Sequence, residues 1–92
     1  MDQLIERCAG IDVHQAELRV CARVPATKGM SKTVEIIQTF GTTTPDLLAL
    51  RAWMANLGVT HVAMESTGVY WKGPYYTLEH HFAVLLVNSN HV

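Results

Sequence analysis

Two short stretches of the sequence combine a strand-like pattern with an acidic residue near the end. Residues 58–68 form an apolar run of β-branched and small residues that leads to Glu65, and residues 8–14 repeat this pattern around Asp12. The first run predicts a buried strand covered on both faces. Divalent cations such as Mg²⁺ take oxygen ligands from a few converging carboxylates. If the two strands are neighbours in one sheet, Asp12 and Glu65 are predicted to hold a divalent metal there.

The residues after the second acid add side chains that could contact a nucleic acid. Ser66 and Thr67 follow Glu65 directly, where they could bind phosphate or cap the next helix, and capping is the commoner role for these residue types. Tyr70 and Trp71 could stack on a base. Aromatic clusters at the junction of a helix and a sheet more often belong to the core. For each pair, both interpretations stay open from spacing alone.

The composition is that of one small globular domain. With 92 residues, of which 49% are hydrophobic, we expect a single domain over residues 1–92. The formal net charge of −1 gives no bulk electrostatic signal for nucleic acid. No run reaches the ~18–20 apolar residues of a membrane span, and no signal-peptide pattern is visible. We therefore expect no membrane contact and a cytoplasmic protein, with reduced thiols at Cys8 and Cys21 and no zinc-type spacing of Cys and His.

The first forty residues predict three strands joined by short connections. A strand at residues 8–13 turns back into a second at residues 17–24, in which apolar and polar residues alternate with a period of two. Residues 33–40 are rich in β-branched residues and predict a third strand. Lysines near the start of this strand suit an exposed sheet edge.

A helix is predicted from Thr44 onwards. We expect Thr44 to cap it, Pro45 to take the first helical position and Asp46 to meet the positive end of the helix dipole. Apolar residues at three- and four-residue steps form one stripe, which is typical of core packing, until Gly58 ends the helix.

The last third of the chain predicts one more helix and one more strand. Residues 69–81 favour a helix, with Gly73-Pro74 in its first turn or at a kink. Residues 82–87 form a continuous apolar run typical of a central parallel strand. Hairpins followed by right-handed crossovers give a ribonuclease H-like α/β fold: a mixed sheet with strand order 3-2-1-4-5 and helices between strands 3 and 4 and strands 4 and 5. In that order the strands that carry the two acids are neighbours.

Three segments carry a resemblance to a known family. Residues 10–14 read Gly-Ile-Asp-Val-His, residues 64–71 read Met-Glu-Ser-Thr-Gly-Val-Tyr-Trp, and residues 84–88 read Val-Leu-Leu-Val-Asn. Over nearly the whole chain, the sequence resembles the N-terminal part of the bridge-RNA-guided insertion-sequence transposases, also called recombinases. The resemblance implies a RuvC-like domain with an Asp-Glu-Asp-Asp catalytic set that acts on DNA strands with Mg²⁺. By motif position, Asp12 is the first Asp of that set and Glu65 is the Glu.

The same resemblance implies an incomplete site. The family's two remaining aspartates lie beyond the stretch covered here, and no acidic residue follows Glu79. We therefore expect a truncated catalytic domain that binds Mg²⁺ weakly and does not cleave DNA on its own. The implied partners of the full-length parent are DNA and a guide (bridge) RNA. Apolar surface around residues 71–76 and 82–87 predicts a possible homodimer with two-fold symmetry.

Three other functions stay open on the sequence. A catalytically silent module could dimerise through an open sheet edge, and a nuclease fragment similar to Holliday-junction resolvases would share the fold. An actin-like sugar kinase or ATPase also begins with a strand ending in Asp. That class needs glycines just after the Asp so that phosphate can approach the backbone, and Val13-His14-Gln15 contains none.

Overall fold

The protein folds as a mixed sheet with two helices. A computed structural model describes residues 5–26, 32–66 and 68–88. The elements in chain order are β1 (Cys8–Val13), β2 (Leu18–Pro25), β3 (Thr33–Phe40), α1 (Thr44–Asn56), β4 (His61–Ser66), α2 (Lys72–Leu78) and β5 (Ala83–Asn88). The predicted order of elements is confirmed, with strand boundaries within one residue for β1 to β3.

The five strands form one sheet in the order β3-β2-β1-β4-β5, which confirms the predicted topology. β1 pairs antiparallel with β2, and β2 pairs antiparallel with β3. β4 pairs parallel with β1, and β5 pairs parallel with β4. The sheet is therefore an antiparallel meander extended by two parallel strands, each reached through a helix.

The core lies on one face of the sheet only. Alternate strand residues are buried there together with Leu47, Leu50 and Met54 of α1 and Leu78 of α2. In β4 the burial alternates strictly along the strand, so the prediction that this strand is covered on both faces is wrong. The connections from β3 to β4 through α1 and from β4 to β5 through α2 run in the same direction across the sheet. Because such connections are right-handed, both helices lie on the same side of the sheet.

The opposite face carries side chains that the described part of the chain leaves uncovered, and we call it the open face. Its exposed polar and apolar residues include Asp12, Arg19, Arg23, Glu35, Ile37, His61, Ala63, Glu65, Leu85 and Val87. Because a strand turns successive side chains to opposite faces, the acids predicted for the site share this face. The helix-covered core and the candidate site thus occupy opposite sides of one sheet.

Helix α1 is defined at both ends by local chemistry. Thr43 is the N-cap and forms a capping box with Asp46, whereas Thr44 was predicted to cap, so the cap lies one residue earlier. The Thr43 hydroxyl accepts a hydrogen bond from the Asp46 backbone N–H at 3.3 Å, which satisfies an N–H that the helix leaves unpaired. At the other end Gly58 has a φ of +75°, and the N–H groups of residues 58 and 59 bond back to the carbonyls of Ala55 and Met54. This is the Schellman arrangement, in which glycine takes the left-handed position.

Helix α2 is shorter than predicted, and β5 lies elsewhere in the sheet than its composition indicates. α2 begins at Lys72 with no side-chain cap, so Gly73 and Pro74 lie in its first turn, where a missing N–H costs little. The apolar run of β5 is typical of a central strand, yet β5 forms an edge of the described sheet, as the predicted strand order requires. Its apolar residues are not explained by two-sided burial. Among the described residues, no helix is long and apolar enough to span a membrane.

Candidate metal and nucleic-acid site

Asp12 and Glu65 are direct neighbours across the junction of β1 and β4. The parallel register pairs Asp12 with Glu65 at the Cα positions, and both side chains point to the open face. Each strand ends one residue later, so the two carboxylates sit at the same end of the sheet. The topology that brings them together is the one expected from the sequence.

His14 bonds to the first of these acids. Its Nε2 lies 3.1 Å from Asp12 Oδ2, and both side chains remain more than half exposed, at 57% and 56%. The His14 backbone N–H donates to the carbonyl of Glu17 at 2.9 Å and so closes the turn between β1 and β2. His14 therefore restrains one carboxylate oxygen of Asp12 and leaves the other available to a ligand.

Arg19 is a site residue that the sequence analysis did not single out. The antiparallel register of β1 and β2 places it directly opposite Asp12, where Cβ atoms lie about 4.5–5.5 Å apart. Asp12, Arg19 and Glu65 line one groove of about 460 Å³ on the open face. Within the described chain, neither Arg19 nor Glu65 forms a side-chain hydrogen bond or ion pair. The hairpin register could have revealed Arg19, because a short turn fixes which residues face each other.

Ser66 lies on the face opposite to Glu65. It is 3% exposed, because the alternation along β4 turns it toward the helices. This position argues against the phosphate contact predicted for Ser66, and it also separates Ser66 from the start of α2, which it does not cap. The matching prediction for Thr67 falls outside the described residues.

The two aromatic residues after β4 differ in exposure. Trp71 packs against the core and meets Tyr75 edge-to-face, with ring centroids 5.7 Å apart. Tyr70 is 43% exposed and makes no ring contact within the described chain. The core interpretation therefore accounts for Trp71, while Tyr70 stays a predicted nucleic-acid contact.

The donor set fits a hard cation held loosely. Asp12 and Glu65 supply carboxylate oxygens from adjacent positions on an exposed face. No cluster of three or more His, Cys, Asp or Glu side chains within the described residues is placed to hold a metal ion. Proteins commonly bind Mg²⁺ through one or two carboxylates, with waters and substrate phosphates completing the octahedron. Two neighbouring carboxylates satisfy that pattern but leave most positions to other ligands.

The sequence matches the model of a family described as a transposase, the IS110 group of DEDD transposases, over residues 9–92. A comparison with curated proteins found no match.

Comparison of the fold finds similar solved structures of low sequence identity. RuvC of Thermus thermophilus superposes with a TM-score of 0.61 at 14% identity, over 89% of this chain and 63% of that chain. Two structures of Ppx/GppA proteins from Aquifex aeolicus give TM-scores of 0.52 and 0.51 at 10% and 11% identity, over 91% and 92% of this chain and 35% and 36% of theirs. At such identities the likeness establishes the RuvC-like, ribonuclease H-like fold alone. This chain spans 63% of the length of RuvC.

Proposed function

The chain belongs to the IS110 transposase family, and we propose that it is the N-terminal part of a catalytic domain that acts on DNA strands with a divalent metal held by Asp12 and Glu65. The observation that carries the proposal is the register that pairs these two acids on one exposed face. By motif position, we assign Asp12 and Glu65 to the first two acidic positions of the family's Asp-Glu-Asp-Asp set. We propose that the protein containing this domain is a transposase that acts on DNA strands during insertion-sequence transposition.

The metal proposed here is Mg²⁺. When bound, it would neutralise charge on a scissile phosphate and activate the attacking oxygen. Asp12 and Glu65 would hold it, with His14 fixing the orientation of the Asp12 carboxylate through the 3.1 Å contact. A metal-binding carboxylate that is itself hydrogen-bonded stays in a productive rotamer without a cost at the moment of binding.

Arg19 supports the placement of DNA at this face. It lies opposite Asp12 and lines the same groove as Glu65, and guanidinium groups bind phosphate through paired N–H donors. Two carboxylates repel a phosphate backbone, so an adjacent cation lowers the cost of bringing phosphate to them. Arg19 would position a phosphate next to the metal ligands.

The proposed site is incomplete in the described residues. Two carboxylates are half of the family's four acidic residues, and two-metal phosphoryl transfer needs ligands for both ions. We therefore propose that Mg²⁺ binds in the millimolar range and that this chain alone leaves DNA intact. The guide RNA and the DNA target are proposed as partners of the longer transposase.

Paramagnetic Mn²⁺ tests the metal site directly. We expect titration of the isotope-labelled chain to broaden the amide signals around Asp12 and Glu65 at millimolar Mn²⁺, and the Glu65→Gln variant to lose most of that broadening. Glu35→Gln is the matched control, because Glu35 lies on the same face but pairs with Arg23 at 3.3 Å. Broadening that survives Glu65→Gln, or that centres on Glu35, would refute the assignment.

A cleavage assay tests the activity. We expect the chain to leave supercoiled plasmid and branched DNA uncut in Mg²⁺ and in Mn²⁺, and the Asp12→Ala change to abolish strand transfer by a full-length transposase that contains this domain. Nicking by the chain that disappears in its Asp12→Ala variant would show that two carboxylates suffice. Specific nicking of branched DNA would instead favour a resolvase-like nuclease.

A further inference from the structure

The outer edge of β5 is an unusual feature of this sheet. Within the described residues no strand pairs with it, and its sequence Ala-Val-Leu-Leu-Val contains no charge and no proline. Leu85 is 64% exposed and Val87 is 44% exposed. Proteins usually protect an exposed edge with charges, proline or a bulge, since an unprotected edge pairs with other strands.

The backbone direction along β5 is fixed by its bonding to β4. Ala83 N–H donates to the Thr60 carbonyl at 2.9 Å, so Ala83 points its backbone groups inward. Because these groups alternate along a strand, Val84 and Leu86 direct theirs away from the sheet. The outer edge therefore offers two N–H and two C=O groups, each of which needs a partner or water.

We propose that the outer edge of β5 pairs antiparallel with β5 of a second copy of this chain, with the two-fold axis through Leu85. This register places Val84 opposite Leu86 of the other copy, so the outward backbone groups of both residues bond to each other. Leu85 then faces its own equivalent, and Ala83 faces Val87. Every residue from 83 to 87 meets an apolar residue.

Two other registers are less favourable. A register centred on Val84 would leave Leu86 and Val87 without a partner in the other β5. The other is centred on Leu86. It sets Val84 opposite Asn88 and so pairs an apolar residue with an amide, whereas the Leu85 register pairs apolar residues throughout. The same argument disfavours the opposite edge of the sheet. β3 carries Glu35 there, held by Arg23 across the strand pair, and a two-fold pairing of β3 would bring polar and charged residues together.

The proposed dimer places both open faces on the same side. A two-fold axis perpendicular to the sheet keeps the faces aligned, and the Glu65 residues of the two copies then lie about 20 Å apart for strands spaced ~4.8 Å with ~3.3 Å per residue. The dimer is expected to be weak, because pairing one short strand buries less than the ~1,200 Å² typical of stable complexes.

Disulfide trapping tests the register. In a Cys8→Ser, Cys21→Ser background, Leu85→Cys puts the new thiol opposite its own copy, at a Cα separation of about 4.5 Å expected for a non-hydrogen-bonded pair, which is within disulfide range. We expect rapid covalent dimer formation under mild oxidation. Ile37→Cys is the control, because Ile37 is similarly exposed at 55% and lies on β3. Cross-linking that is no faster for Leu85→Cys than for Ile37→Cys would overturn the proposal.

Sedimentation equilibrium at high micromolar concentration gives an independent readout. Leu85→Lys places like charges opposite each other, and we expect it to weaken dimerisation at least about tenfold with an unchanged circular dichroism spectrum. Ile37→Lys should leave the association constant unchanged. A monomeric wild-type chain, or equal weakening by both lysine variants, would contradict pairing through β5.

Discussion

Met64 and Glu65 are adjacent in β4, yet substitution of Met64 should lower stability and substitution of Glu65 should remove metal binding. Met64 is fully buried against the helices, while Glu65 is exposed on the open face. Met64→Ala removes a packed side chain and leaves a cavity, at a cost of about 2–5 kcal/mol. Domains of this size unfold with about 5–15 kcal/mol in total, so the loss is a large fraction of the stability.

The corresponding shift of the melting temperature is large enough to measure simply. At roughly 4–8 °C per kcal/mol for a domain of this length, Met64→Ala should lower Tm by about 8–40 °C. Glu65→Gln changes an exposed group and should alter the free energy of unfolding by no more than about 0.5 kcal/mol.

Adding Mg²⁺ should stabilise the parent and the Met64→Ala variant but not the Glu65→Gln variant. With a dissociation constant near 1 mM, about 10 mM Mg²⁺ stabilises the folded chain by about 1.4 kcal/mol, and Glu65→Gln should abolish this gain. Thermal circular dichroism with and without Mg²⁺ provides both quantities, with Ca²⁺-free buffer and EDTA as the reference. A Glu65→Gln variant as unstable as Met64→Ala, or a Met64→Ala variant as stable as the parent, would refute the assignment of the two faces.

Three further changes probe other parts of the structure. Thr43→Ala removes the cap of α1 and should lower the free energy of unfolding by urea by about 1 kcal/mol. Thr44→Ala should lower it by less, and equal losses would contradict the placement of the cap. Gly58→Ala should cost about 1 kcal/mol, because its φ is +75° and a Cβ there would lie 2.9 Å from Arg7 Cδ; an unchanged unfolding midpoint would argue against the left-handed turn. Arg19→Ala should weaken DNA binding by the longer transposase for all sequences, and it should lower the slope of log affinity against log salt concentration by about one. Fluorescence anisotropy measures both, and Arg23→Ala is the control that should change neither. Equal effects would mean that DNA does not lie beside Asp12.

The strand order and the pairing of the two acids could be predicted from the sequence. A tight hairpin fixes β1 against β2, and right-handed crossovers leave few places for β4 and β5. Once β4 lies beside β1, Asp12 and Glu65 end at the same edge of the sheet. These expectations depend on chain connectivity and on the sense of crossovers, both of which are visible in a single sequence.

The features that could not be predicted depend on which face of each strand is covered and on which residues face each other across strands. Uniform apolar runs such as residues 82–87 look the same whether both faces of a strand are covered or only one, so the composition of β5 is typical of a central strand although the predicted order places it at an edge. Ser66 was expected to follow the strand, but β4 includes it. Successive side chains of a strand point to opposite faces, so Ser66 points to the core while Glu65 points to the open face. In the sequence Arg19 is only one polar residue of an alternating pattern. It becomes a site residue because the hairpin register places it opposite Asp12.

The hairpin also has a consequence for the order in which the site is assembled. Asp12 and Arg19 lie on two strands joined by a short turn that contains His14. Contacts between residues close in sequence form early because little loop entropy is lost. Glu65 joins these residues only when β4 pairs parallel with β1, which closes the long connection through β3 and α1. The hairpin therefore supplies one of the two acids, while metal binding, which needs both acids, reports that β4 has paired with β1.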